Sequence, residues 1–78
     1  MRSEEKAAAA RALLDNPLFD RLMDELEAAA INGCVNARLP DHETRAAFAA
    51  EARAIRNFRA KLKFLTEQAK TEGTCAPA

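Results

Sequence analysis

Tryptophan and tyrosine are absent, and four phenylalanines supply all the aromatic surface of the 78-residue chain. Only Ile31, Val35 and Ile55, with a few threonines, are β-branched, and they never alternate over a strand-length run. Strands favour β-branched and aromatic residues, so this poverty argues against a sheet protein. Glycine occurs twice and proline three times, which leaves long stretches with nothing to interrupt a helix. The expected fold class is all-α, in one domain spanning residues 1–78.

The chemistry-bearing residues are equally sparse. One histidine and two cysteines form no H-x-x-x-H or C-x-x-C pattern, and there is no glycine-rich phosphate loop. His42 stands beside Asp41 and Glu43, a pairing that could serve acid–base work or a metal. No nucleophile accompanies it at a matching spacing, and the turn position reads as a capping region. The expectation is a protein that is not an enzyme, with no catalytic, cofactor-binding or metal-binding residues. No apolar run approaches the ~18 residues of a membrane span. Glu4 and Glu5 follow Arg2 where a signal peptide would turn apolar, so a cytosolic product, or one carried into a virion, is expected.

What is abundant is alanine, and charge sorted by sign. Residues 1–37 carry seven acids and four bases, a net −3, and residues 42–78 carry seven bases and four acids, a net +3. Two halves of opposite sign attract when they pack. The alternative is a basic face for nucleic acid, on Arg53, Arg56, Arg59, Lys63 and Lys70. No helix-turn-helix pattern or interleaved aromatics accompany that stripe.

Three helices follow from the punctuation. Ser3 is placed to cap a short first helix over about 4–14, held chiefly through Leu13 and Leu14, with Glu4 and Glu5 at the positive end of its dipole. Asn16 and Pro17 break the chain and restart it, since Asn caps well and Pro suits a first helical position. The second helix, about 17–37, presents Leu18, Phe19, Leu22, Met23, Leu26, Ala29 and Ala30 at spacings of 1, 3 and 4. Gly33 could end it or lie within it, and the apolar Cys34 and Val35 beyond favour continuation to about Ala37. Pro40 then stops the chain and Asp41 caps a third helix over about 42–70.

In that third helix Phe48, Ile55, Leu62 and Ala69 recur every seven residues, with Phe58 and Leu65 on the matching offset, a coiled-coil-like seam. The short connection at Arg38–Asp41 requires antiparallel neighbours. The expected architecture is an antiparallel helical hairpin with a short N-terminal helix and a C-terminal tail, 71–78. The seam is expected to join Leu18, Phe19, Leu22, Met23 and Leu26 to Phe48, Ile55, Phe58, Leu62 and Leu65.

The third helix outruns the second. Its far end either overhangs or is covered by the first helix folding back, and the expectation is an end without an in-chain partner. A hairpin of this size has a thin core, so another copy or another protein should complete it. Phe64, Arg56, Arg59 and Lys63 are the candidate partner contacts. Cys34 and Cys75 lie towards opposite ends of the hairpin, too far apart for the ~7 Å a disulfide allows. Cys75 is the candidate for an intermolecular disulfide.

The stretch Ala12-Leu13-Leu14-Asp15-Asn16-Pro17-Leu18-Phe19, the Asp24–Glu27 region, and Arg53-Ala54-Ile55-Arg56-Asn57-Phe58-Arg59 with Leu62 and Leu65 resemble short proteins encoded in the structural-gene modules of tailed bacteriophages. The resemblance spans about residues 11–65. It implies a non-catalytic head or neck component that binds itself or larger virion proteins. Two alternatives stay open: a packaging-type nucleic-acid-binding subunit using the basic face, and a small inhibitor of a host protein whose acidic half mimics nucleic acid.

Overall fold

The computed structural model describes residues 1–74, with side chains through residue 68. It contains three α-helices: α1 (Ser3–Leu14), α2 (Pro17–Asn36) and α3 (His42–Thr74). No strand occurs among the described residues. The fold is an all-α antiparallel hairpin with a short N-terminal helix.

Local chemistry sets the joints. Asn16 adopts an extended backbone, and its Oδ1 accepts from the amides of Leu18 at 2.9 Å and Phe19 at 3.3 Å. These are two of the donors that a helix start leaves without a partner. Pro17 follows, where its missing N–H costs the helix nothing. At the second joint Asp41 accepts from the Thr44 amide at 3.0 Å and from the Thr44 hydroxyl at 2.7 Å. Those bonds hold the Asp41 carboxyl below its ordinary pKa of 3.8, the side-chain bond contributing most. Arg45 reaches back across the same turn and donates to the carbonyls of Arg38 at 3.1 Å and Leu39 at 3.5 Å.

Three expectations about element ends need correction. Ser3 does not cap α1; it lies inside the helix, Arg2 occupies the cap position, and no side chain bonds there. The helix begins one residue early because the Lys6 amide already reaches the Arg2 carbonyl at 2.9 Å. At the other end α3 does not stop near Lys70 but continues to Thr74. Gly73 is therefore helical, and of the expected tail only residues 75–78 lie beyond the helix and outside the described residues. Ala37 is not part of α2: it is the C-cap, with extended backbone.

The layout turns on helix length. At 12 and 20 residues, α1 and α2 together nearly match the 33 residues of α3. Both pack extensively on α3 and hardly touch each other. They lie in tandem along one side of α3, and the molecule is a rod of 60 × 25 × 18 Å. The expected overhang does not exist, because α1 occupies it.

Gly33 lies in the last turn of α2, helical and without a positive φ. Its lack of a side chain makes room for the ring of Phe48: a Cβ there would stand 2.7 Å from three ring atoms. The other buried positions tell the same story. Ala7 and Ala10 in α1, Ala30 in α2, and Ala52 and Leu62 in α3 are the buried residues among those described. Four of the five are alanines, so the helices meet at their smallest side chains. The expectation that Leu13 and Leu14 anchor α1 is corrected accordingly: Ala7 and Ala10 are buried, Leu14 is half-buried and Leu13 is exposed.

Candidate protein-interaction surface

The α2–α3 seam has two flanks of opposite character. A helix turns about 100° per residue, so residues three and four apart share a face. On α2, Phe19, Met23 and Ala30 point at α3 and are buried or half-buried. Asp20, Asp24 and Glu27 fall to one side of that line; Leu18, Leu22 and Leu26 fall to the other. On α3, Phe48, Ala52, Ile55, Arg59 and Leu62 face inward.

Ion pairs fix which flanks coincide. Arg56 Nε meets Glu27 Oε2 at 3.1 Å. Arg59 bridges Asp24 at 2.7 Å, Asp20 at 3.0 Å and Glu27 at 3.7 Å. Asp24, by its hydrogen bond, contributes most to holding the Arg59 proton more firmly than usual. The carboxylate flank of α2 thus closes on the arginine flank of α3. Lys63 lies on that side too, lining a hollow with Leu14, Phe19 and Arg59.

The opposite flank has no such closure. Leu18 is 62% exposed, Leu22 46% and Leu26 47%. Phe58 lies beside them on α3, its ring centroid 6.2 Å from that of Phe19, and it remains 48% exposed. Leu65 falls on the same side and is half-buried. Leu13 continues the row in α1 and is exposed. The expectation that Leu18, Leu22, Leu26 and Phe58 fill the seam therefore fails. One facing helix covers only a narrow arc, and these four lie at its edge or beyond.

Other candidates are scattered. Phe64 is on the outer side of α3, 52% exposed, with Lys61 Nζ 5.0 Å from its ring centre. Arg56 and Arg59, offered as contacts for a partner, are instead engaged by acids of their own chain. His42 Nδ1 accepts from Arg45 Nη1 at 3.1 Å, since a guanidinium can only donate. Cys34 is a free, half-buried thiol, and Cys75 falls outside the described residues. No group of three or more histidine, cysteine or acidic side chains that could hold a metal ion occurs among the described residues. No described helix is long and apolar enough to cross a membrane.

Arg45 was missed by the sequence reading. Only its place in the third helix was legible, whereas its role depends on the turn bringing two carbonyls within reach.

No protein-family model matches the chain, and neither the curated proteins nor the solved structures compared with it include a significant match.

Proposed function

We propose that this protein is a non-catalytic assembly component that works by packing helices against protein partners. The observation that supports it is the disposition of its large apolar side chains. The buried set holds four alanines and a single leucine, while a row of leucines and a phenylalanine lies on one side of the rod. Scattered exposed apolar residues are ordinary, but a contiguous patch marks a contact surface.

The resemblance to phage structural-module proteins makes a virion head or neck the assembly to examine first. The nucleic-acid reading loses its best groups, because Arg56 and Arg59 already serve Asp20, Asp24 and Glu27. The host-inhibitor reading weakens for the same reason, since those carboxylates are occupied.

Melting the purified chain over a hundredfold range of concentration tests the proposal. Association raises the melting temperature with concentration by mass action. A flat melting temperature, with no rise when candidate virion proteins are added and no trace of the chain in purified particles, would remove it.

A further inference from the structure

We infer that the hollow between Ile31, Val35 and Arg53 is a docking site of its own: it takes an amphipathic helix of a partner protein and pairs Arg53 with one of that helix's carboxylates. The choice of a protein as occupant rests on the assembly reading above. The surface is separate from the leucine row.

The ion-paired flank ends part-way along the seam. Asp20, Asp24 and Glu27 follow one another on α2 at spacings of four and three, and two further steps of four reach Ile31 and Val35. One lane of α2 thus changes from acidic to apolar, and from Ala28 to Asn36 the helix carries no acid and no base. On α3 the arginines run on: past Arg59 and Arg56 comes Arg53. Its neighbours three and four residues away are Ala49, Ala50, Arg56 and Asn57, none of them an acid. No hydrogen bond or ion pair engages the Arg53 guanidinium among the described residues.

Arg53 borders a hollow of about 460 Å³. Half-buried Cys34 and buried Ala52 form its floor, and exposed Ile31, Val35, Ala49 and Arg53 its rim. Charge selects the occupant first. Arg56 and Arg59 take carboxylates from α2 in the same lane, and at Arg53 the chain supplies none, so the occupant brings the acid beside apolar side chains. A nucleic-acid backbone engages several cations at once, and here the adjacent Arg56 is already held by Glu27. Shape selects it second. Pockets for small molecules enclose most of their ligand, whereas Val35 is 74% exposed and leaves this hollow open along one side. An open groove between two antiparallel helices fits the apolar ridge of a third. The chain's own third helix is elsewhere, since α1 meets α3 at the other end, where Leu14 lies with Lys63.

Three short helical peptides test this on the full chain: one with a leucine ridge flanked by glutamates, the same peptide with lysines for the glutamates, and a scrambled acidic peptide with no ridge. Amide correlation spectra locate binding, titration measures it, and circular dichroism follows the helicity of each variant. The acidic ridged peptide should shift the amides of Ile31, Cys34, Val35 and Ala49, and bind about tenfold more tightly than either of the others. Arg53→Glu should weaken it by about tenfold and let the lysine peptide bind in its place. Ile31→Ser/Val35→Ser should weaken it by about tenfold or more, while Leu22→Ser/Leu26→Ser leaves it unchanged. Equal binding of the scrambled peptide, shifts confined to the leucine row, or no binding to the folded chain overturns the site. Sodium dodecanoate displacing the peptide from the same amides and binding more tightly makes the occupant a small amphiphile and overturns the helix. Shifts at Ile31 and Val35 that follow the concentration of the chain alone make it a second copy, and do so too. Each of these failures leaves the assembly reading to be judged by the melts and particles described above.

Discussion

The two flanks of the α2–α3 seam are built from the same two helices and finished in different ways. On one, Asp20, Asp24 and Glu27 find Arg56 and Arg59 within the chain. On the other, Leu18, Leu22 and Leu26 stay half-exposed or more, as does Phe58. Long flexible arginines can reach across a seam edge to a carboxylate; leucines cannot reach, and need a surface laid on them. The charged flank is completed by its own chain, and the apolar flank is left half-exposed.

The largest expected effect comes from spoiling the apolar flank. Leu22→Glu/Leu26→Glu removes two side chains worth about 1.5–3 kcal/mol each when covered. The concentration dependence of the melt should vanish with them.

Next comes the close approach that holds the flanks together. Gly33→Ala gains about 1 kcal/mol in helix propensity. It also drives a methyl to within 2.7 Å of the Phe48 ring. Overpacking of this kind costs about 1–3 kcal/mol, so the net change should be destabilising. Chemical denaturation measures it, and Phe48→Leu in the same chain should recover part of the loss.

A smaller effect is expected on the charged flank. Arg59→Ala should cost about 1 kcal/mol, because its ion pairs are solvent-exposed. The difference between wild type and variant should shrink in molar salt, which screens charges but leaves the leucine contacts intact.

The smallest tests the joint rather than either flank. The Asp41 carboxyl is held below 3.8 in the fold. Its contribution is therefore complete above that pH and is lost as pH falls through the folded-state value. Asp41→Asn keeps an acceptor for the Thr44 amide but has no proton to gain, so its stability should fall less steeply in acid titrations below about pH 4.

The joints were the most legible part of the fold. Asn16, Pro17, Pro40 and Asp41 each restrict the backbone or supply a specific bond, and helix starts followed them closely. Ser3 misled because a helix can begin without a side-chain cap. The direction of the α2–α3 hairpin was also readable, from a loop too short for anything else. The buried positions were not. Ala7, Ala10, Ala30 and Ala52 are four among many alanines, and a methyl group carries no signal of which face it lies on. Large side chains drew the eye to a stripe far wider than one neighbouring helix can cover. The exposed apolar row was thus present in the sequence as a set of residues and misplaced as a core. Its separation from the ion-paired flank required knowing which arginine meets which acid.

The joint at Asp15–Pro17 has one more consequence. It falls against the uninterrupted middle of α3, so a break in one helical track is splinted by the other. Because α1 and α2 share α3 but hardly each other, the rod consists of two units that can open separately. Lifting α1 uncovers Ala7, Ala10 and their track on α3 while the α2–α3 ion pairs stay closed. Amide hydrogens of α1 should therefore exchange as their own cooperative group, faster than those of α2.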